Sequence, residues 1–232
     1  LVENSTEGIY RASWDGRFIE ANGAMADILG YDSVPDLMEN LTDLGSQLYA
    51  NPDDRKKLLN LLLIHGRVKN FEVLCRKKDG SPVWISLNSR LVRDSKGNIS
   101  HIEGIFQDIT ARKDTERKLS EALEFVQNIF ATSPAGIVTY SARGQFVSSN
   151  DAAERILSKI KDFDLKTNFC DSFFWINTGL LAEAQRVIAQ NDSGQIEVYT
   201  KDIRGDDLFL ECRLASFQAG NESHLLLMIN DI

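Results

Sequence analysis

The sequence predicts two consecutive α+β domains, each a five-stranded antiparallel sheet with helices on one face, joined by an amphipathic helix. Length comes first: 232 residues suffice for two ordinary domains of ~100–150 residues. The second observation is a repeat. Gly8-Ile9-Tyr10 returns as Gly136-Ile137-Val138, and Gly16-Arg17-Phe18-Ile19 with Asn22 returns as Gly144-Gln145-Phe146-Val147 with Asn150, both 128 residues on. Phe71-Glu72-Val73 matches Ile196-Glu197-Val198 at 125, and Asp108-Ile109 matches Asp231-Ile232 at 123, a drift that loop deletions produce. The third is the order of signals inside each copy: two strands, helices, then three longer strands. The divisions that follow are 1–110, a connecting helix over 111–131, and 132–232.

In the first copy, 8–13 and 17–21 read as short strands joined at Asp15-Gly16, a dipeptide suited to a tight turn. Asn22 reads as a helix cap, with Met25, Ile28 and Leu29 on one face and Gly30 as the stop. The stretch 31–50 is poorly patterned and predicts one or two short helices. Asn51-Pro52-Asp53-Asp54 opens a longer helix: a capping Asn, Pro at the first helical position, acids in the first turn. Its run of Leu58, Leu59, Leu61, Leu62, Leu63 and Ile64 predicts packing on a sheet. Strands over 68–76, 82–93 and 99–108 follow, with Asp79-Gly80 and Asp94-Ser95-Lys96-Gly97-Asn98 between them. The second copy predicts strands near 136–141 and 145–149, a helix from Asn150, another near 178–189, and strands near 195–203, 207–217 and 222–231.

Composition narrows the function classes. Lys and Arg number 26 against 34 Asp and Glu, and no basic block breaks the acidic balance. Nucleic acid and anionic lipid are therefore not expected partners. No apolar run approaches the ~18 residues of a membrane span. Three separated cysteines, Cys75, Cys170 and Cys212, argue for a reducing, cytoplasmic setting and against a zinc site or disulfide scaffold. Leu1 stands where an initiator Met is usual, so the chain is read as a fragment, the cytoplasmic part of a membrane-associated protein being one possible source.

Three pieces carry a family likeness: Asp15-Gly16-Arg17 before Asn22; Arg76-Lys77-Lys78-Asp79-Gly80-Ser81 before Trp84; and Gly97-Asn98 leading to Asp108-Ile109-Thr110-Ala111-Arg112-Lys113. Together they resemble the PAS sensory fold and its D-I-T-x-R-K exit in bacterial signalling proteins. The likeness covers residues 1–118. In 126–232 the repeat carries it, with Arg204-Gly205 where Asp79-Gly80 stands. The resemblance implies a domain that detects a ligand, redox state or light and drives an attached output module in cis. A sensor histidine kinase of a two-component phosphorelay is the expected output, with a diguanylate cyclase as the alternative. Neither output signature is present in these residues, and no nucleophile–base pair, phosphate-cradling loop or metal spacing appears, so no catalysis is expected within them.

Strand alternation gives the expected interior. One face of the first sheet carries Val73, Cys75, Ile85, Leu87, Ile102, Gly104 and Phe106; the second carries Val198, Thr200, Leu210, Cys212, Leu214, Leu225, Leu227 and Ile229. Tyr10 beside Ala12, and Tyr140 as its counterpart, are the polar tips. The candidate ligand-contacting set is Tyr10, Cys75, Ile85, Leu87, Phe106, Tyr140, Thr200 and Cys212. Two readings stay open: an apolar or amphipathic small molecule, or an interior filled by its own side chains with the tyrosines bonded locally. Flavin-binding members of the family place Asn and Gln inward. Here Cys75, Ile85 and Phe106, or Thr200, Leu210 and Ile229, stand there, so flavin is not expected. Haem-binding members use a histidine of the long helix, but His65 closes that helix before Gly66, so haem is not expected and the cofactor is left unknown. Cys170 is read as a small core residue, and His101 and His224 as solvated.

Residues 111–131 contain no Gly or Pro and alternate in charge. Leu119, Leu123, Val126 and Phe130 are spaced 4, 3 and 4, a short heptad seam that predicts a parallel homodimer. The alternative is one helix laying its stripe on a sheet, and a ligandless dimerisation scaffold is the rival function. Asp108, Ile109 and Thr110 are expected to anchor the last strand to this helix, with Arg17 as the cation facing Asp108.

Overall fold

The computed structural model describes residues 5–232, in two compact units that divide between Ser120 and Glu121. The first contains β1 (Gly8–Ala12), β2 (Phe18–Ala21), α1 (Gly23–Leu29), α2 (Val34–Asn40), a π-helical turn (Leu44–Leu48), α3 (Pro52–His65), β3 (Arg67–Arg76), β4 (Pro82–Arg93) and β5 (Ile99–Asp108). Its strands order as β2-β1-β5-β4-β3, every neighbouring pair antiparallel. α4 (Thr110–Thr132) joins the units. The second repeats the plan as β6 (Gly136–Ser141), β7 (Phe146–Ser149), α5 (Asp151–Leu157), α6 (Phe173–Thr178), α7 (Leu180–Gln190), β8 (Ser193–Lys201), β9 (Asp207–Ala219) and β10 (Glu222–Asp231). Its order is β7-β6-β10-β9-β8.

The repeated asparagine shows why each copy folds alike. Asn22 Oδ1 accepts the Ile9 N–H at 2.9 Å and the Met25 N–H at 3.1 Å, while its amide donates to the Glu7 carbonyl. One carboxamide thus caps α1 and ties it to β1. Asn150 does the same for Ile137 and Ala153, and its amide reaches the carbonyls of Phe130 and Ala135. In α3, Asn51 accepts from the Asp53 N–H, and Gly66 at φ 73° ends the helix in the left-handed conformation that glycine adopts without strain.

Several expectations need correction. The apolar run of α3 is wider than the face it can bury: Leu58 and Leu62 are buried, but Leu63 and Ile64 point to solvent, as a stripe of ~100° dictates. The helix expected near 178–189 is α7 (Leu180–Gln190), but a further short helix, α6, precedes it where none was expected. α6 ends at Gly179 and α7 follows, and six residues with no side-chain cap at Ser172 leave too little periodicity to read. β8 starts earlier than expected, at Ser193, and also ends earlier, because Asp202 Oδ1 accepts the N–H groups of Arg204 and Asp206 and turns the chain there.

Candidate functional site

The first interior is the apolar surface that alternation gives: Val73, Cys75, Ile85, Leu87, Ile102 and Phe106 are all buried. Tyr10 enters it from β1 and its hydroxyl meets Ser89 Oγ at 2.7 Å. Burial pushes its phenol up to about 12, with the Ser89 bond pulling the other way. Ser89 was legible as the next inward position after Ile85 and Leu87, but a serine in an apolar series carries no hydrophobic signal. Tyr49 is also buried, and burial raises its phenol well above the ordinary value. Its carbonyl accepts from Arg76, whereas its hydroxyl has no hydrogen-bond partner among the described residues. Burial likewise raises the Cys75 thiol to about 12.

Tyr10, Leu44, Leu48, Tyr49, Arg55 and Phe106 are among the residues that enclose a void of about 20 Å³, room for one water molecule. No carboxamide or imidazole lines it. Arg55, from the first turn of α3, closes one side. Its guanidinium donates to the Trp14 carbonyl at 3.1 Å and lies 2.9 Å from where a Cβ added at Gly16 would stand, while the Arg55 Cδ lies 3.3 Å from one added at Gly45. Sequence reasoning missed both Tyr49, which sits in the unpatterned stretch, and Arg55, which reads as one more charge on a helix start.

The second interior is packed with rings. Tyr140 meets Trp175 edge-on at 5.3 Å and Phe169 at 5.5 Å, and Phe169 stacks on Trp175 at 4.8 Å. Tyr140 is not the counterpart of Tyr10. Register pairs Tyr10 with Gly104 and Ala12 with Ile102 in one sheet, Val138 with Leu227 and Tyr140 with Leu225 in the other, so Tyr140 holds the place of Ala12. Two residues along a strand keep the same face, which is why both rings point inward. Cys212 is buried, its thiol raised to about 12 by burial, and Thr200 is half-buried. Cys170 is exposed rather than buried, because its neighbour Phe169 takes the core position.

His65 is exposed at the end of α3 and does not border the void. His101 is less solvated than expected: Nδ1 meets Ser100 Oγ, and its buried Nε2 lies 3.5 Å from Glu103. His224 is half-buried, stacked against Phe217. Among the described residues no group of three or more His, Cys, Asp or Glu is placed to hold a metal ion, and no helix is long and apolar enough to cross a membrane.

Where β5 becomes α4, three backbone-directed bonds fix the junction. Ile109 N–H donates to the Trp84 carbonyl at 2.8 Å, Trp84 N–H donates to Thr110 Oγ1 at 3.0 Å, and Thr110 N–H donates to Asp108 Oδ1 at 2.8 Å. Arg17 takes no part. Ala12 pairs with both Phe18 and Ile102, so Arg17 lies at the far end of β5 from Asp108, six residues or ~20 Å away. The ion pairs that hold the helix come instead from β3: Glu72 accepts from Arg112 and, at 2.6 Å, from Lys113. Lys113 Nζ also sits 5.6 Å from the Trp84 ring centroid. The Lys113 and Arg112 contacts hold the Glu72 carboxyl below the ordinary range. Along α4, Leu119, Leu123 and Val126 are exposed, joined by Phe125 and Ile129; Phe130 is half-buried.

A family model described as a PAS domain matches residues 8–111. Sensor protein FixL of Bradyrhizobium diazoefficiens is 30% identical over 108 residues, 45% of this chain and 21% of that protein. Sensor histidine kinase TmoS of Ectopseudomonas mendocina is 24% identical over 140 residues, 59% of this chain and 14% of its own length. Probable diguanylate cyclase DgcE of Escherichia coli is 28% identical over 127 residues, 53% and 11%. The matches therefore span about a fifth or less of these relatives.

Proposed function

We propose that the chain, whose residues 8–111 match a family model described as a PAS domain, is the tandem sensory input region of a signalling protein. It detects a small ligand in the first domain and relays the change through α4 to an output module in cis. The observation that carries this reading is the junction at Asp108, Ile109 and Thr110, braced by Glu72, which couples sheet to helix by named bonds. Likeness to sensor histidine kinase TmoS supports a kinase output and a two-component phosphorelay; likeness to DgcE supports the alternative, a diguanylate cyclase. Three unpaired cysteines fit work in the cytoplasm.

The two domains divide the labour. The ring cluster around Trp175 fills the second interior, whereas the first keeps a polar-tipped void beside Arg55. Withdrawal of Arg55 enlarges that void for an amphipathic small molecule, with Tyr49 offering the unused hydroxyl. The exposed stripe of α4, anchored by Leu119, Leu123 and Val126, is covered by a second copy in a homodimer. Native mass spectrometry reads both features in one spectrum. A dimer peak carrying an extra small mass is expected, the mass absent when Leu48→Trp fills the void. A bare dimer supports the scaffold reading, and a bare monomer removes both.

The relay has its own test. Glu72→Gln removes the acceptor charge for Lys113 and Arg112, and amide exchange at Lys113 should quicken measurably, since both exposed pairs are weakened together. In the parent chain the brace is present above the unfolded carboxyl value of ~4.3 and is lost as pH falls through the lower folded value. Exchange that is the same in variant and parent rules out the brace.

A further inference from the structure

The outer face of the first sheet carries a hollow of about 410 Å³, within the usual size of a small-molecule site. One rung of residues crosses the strands there: Arg67 pairs with Arg90, Arg90 with Glu103, Glu103 with Arg11, and Arg11 with Glu20. Each neighbours an inward position on its strand, so the rung faces out. From Arg90 to Glu20 the signs alternate and the groups bond. Glu103 accepts from Arg90 and lies 3.5 Å from Arg11, which meets Glu20 at 3.2 Å. The alternation breaks at Arg67, which stands directly opposite another arginine, an arrangement that weakens a sheet. Lys69 joins it in the hollow, and among the described residues neither Arg67 nor Lys69 has an ion-pair partner. In a chain of net charge −8, the lining thus gathers four cations about the one carboxylate of Glu103. The next rung is apolar, since Asn88 pairs with Ile105 and Ile105 with Ile9.

The fold does not require this charge. The second sheet has a hollow at the same place, and its rung runs Ser193, Ala215, Leu226 and Thr139, without a charged group. The one cation lining that hollow, Arg213, already meets Glu211 at 3.1 Å.

We propose that the hollow of the first sheet binds a small amphipathic carboxylate, its head held by Arg67, Lys69 and Arg90 and its apolar tail laid on Ile105 and Ile9. The head supplies the negative charge that the rung lacks beyond Arg90, and an arginine offers paired N–H donors that match a carboxylate. Two strand spacings, about 10 Å, separate β3 from β5, the reach of a chain of about eight carbons. The site lies on the opposite face of the sheet from the void beside Tyr49, so it stands whether or not that void takes a ligand.

The test titrates octanoate into the 232-residue chain and follows amide chemical shifts, with acetate as head without tail and 1-octanol as tail without head. Octanoate should shift the amides of Lys69, Arg90 and Ile105 saturably, and each control should bind at least tenfold more weakly. Arg67→Glu sets a carboxylate of the protein opposite Arg90. It should raise the first thermal transition and yet weaken octanoate at least tenfold, which separates loss of the site from loss of the fold. Lys69→Gln, which leaves the rung intact, should weaken octanoate severalfold, whereas Leu48→Trp, which fills the interior void, should leave its affinity unchanged. Absence of saturable shifts in the hollow, equal binding of 1-octanol, or undiminished octanoate binding by both cation variants overturns the proposal. Shifts confined to Leu44 and Leu48 overturn it too, while supporting a ligand in the interior.

Discussion

Trp175→Ala should cost the second domain about 3–5 kcal/mol, the range for a buried large aromatic cut to a methyl. Trp175 is fully buried, stacked on Phe169 and edge-on to Tyr140. Its removal therefore strips partners from two further rings, and stiff neighbours collapse poorly into the hole. At roughly 4 °C per kcal/mol for a domain of this size, the second calorimetric transition should fall by about 15 °C. The first transition should stay in place, because its core shares no residue with this cluster. A loss under about 1 kcal/mol would mean that the rings are not the keystone of that interior.

Gly104→Ala is expected to cost the first domain about 2–4 kcal/mol. Gly104 lies in β5 between Tyr10 on one side and Ser89 on the other. A methyl there would fall inside contact distance of the Asn88 carbonyl and stand 3.0 Å from the Ser89 Cα. Both obstacles are backbone, so β4 and β5 must part. Overpacking of this kind costs ~1–3 kcal/mol, and the Tyr10–Ser89 bond that crosses the site adds ~1. Urea unfolding measures the sum. A midpoint within error of the parent would show that the strands yield freely, and that the Tyr10 hydroxyl is not held by their spacing.

Much of the fold was legible because its punctuation is strong. Strands over 82–93 and 99–108 occupy those residues, fixed by Asp79-Gly80 and by Asp94 through Asn98. Inward and outward sets followed from parity alone. What failed needed register rather than pattern. Sequence shows the sign of Arg17 but not which end of β5 it stands beside, and the true brace, Glu72, looked like any outward acid on a strand. Tyr49 escaped because it is a single extended residue, bridged to Cys75, after a π-helical turn of no familiar period, and α6 because six residues make less than two turns.

The carboxamide of Asn22 also sets a chemical clock. Asn22 precedes Gly23, the neighbour that least hinders attack of a backbone nitrogen on the side-chain amide, the step that begins deamidation. While the domain is folded, bonds to Ile9, Met25 and Glu7 pin that amide. Once the domain opens, the group is loose, and the aspartate formed has no N–H for the Glu7 carbonyl and brings a negative charge into a buried place. Molecules that linger unfolded thus lose the means to return, and storage loss becomes a count of time spent open rather than of time elapsed.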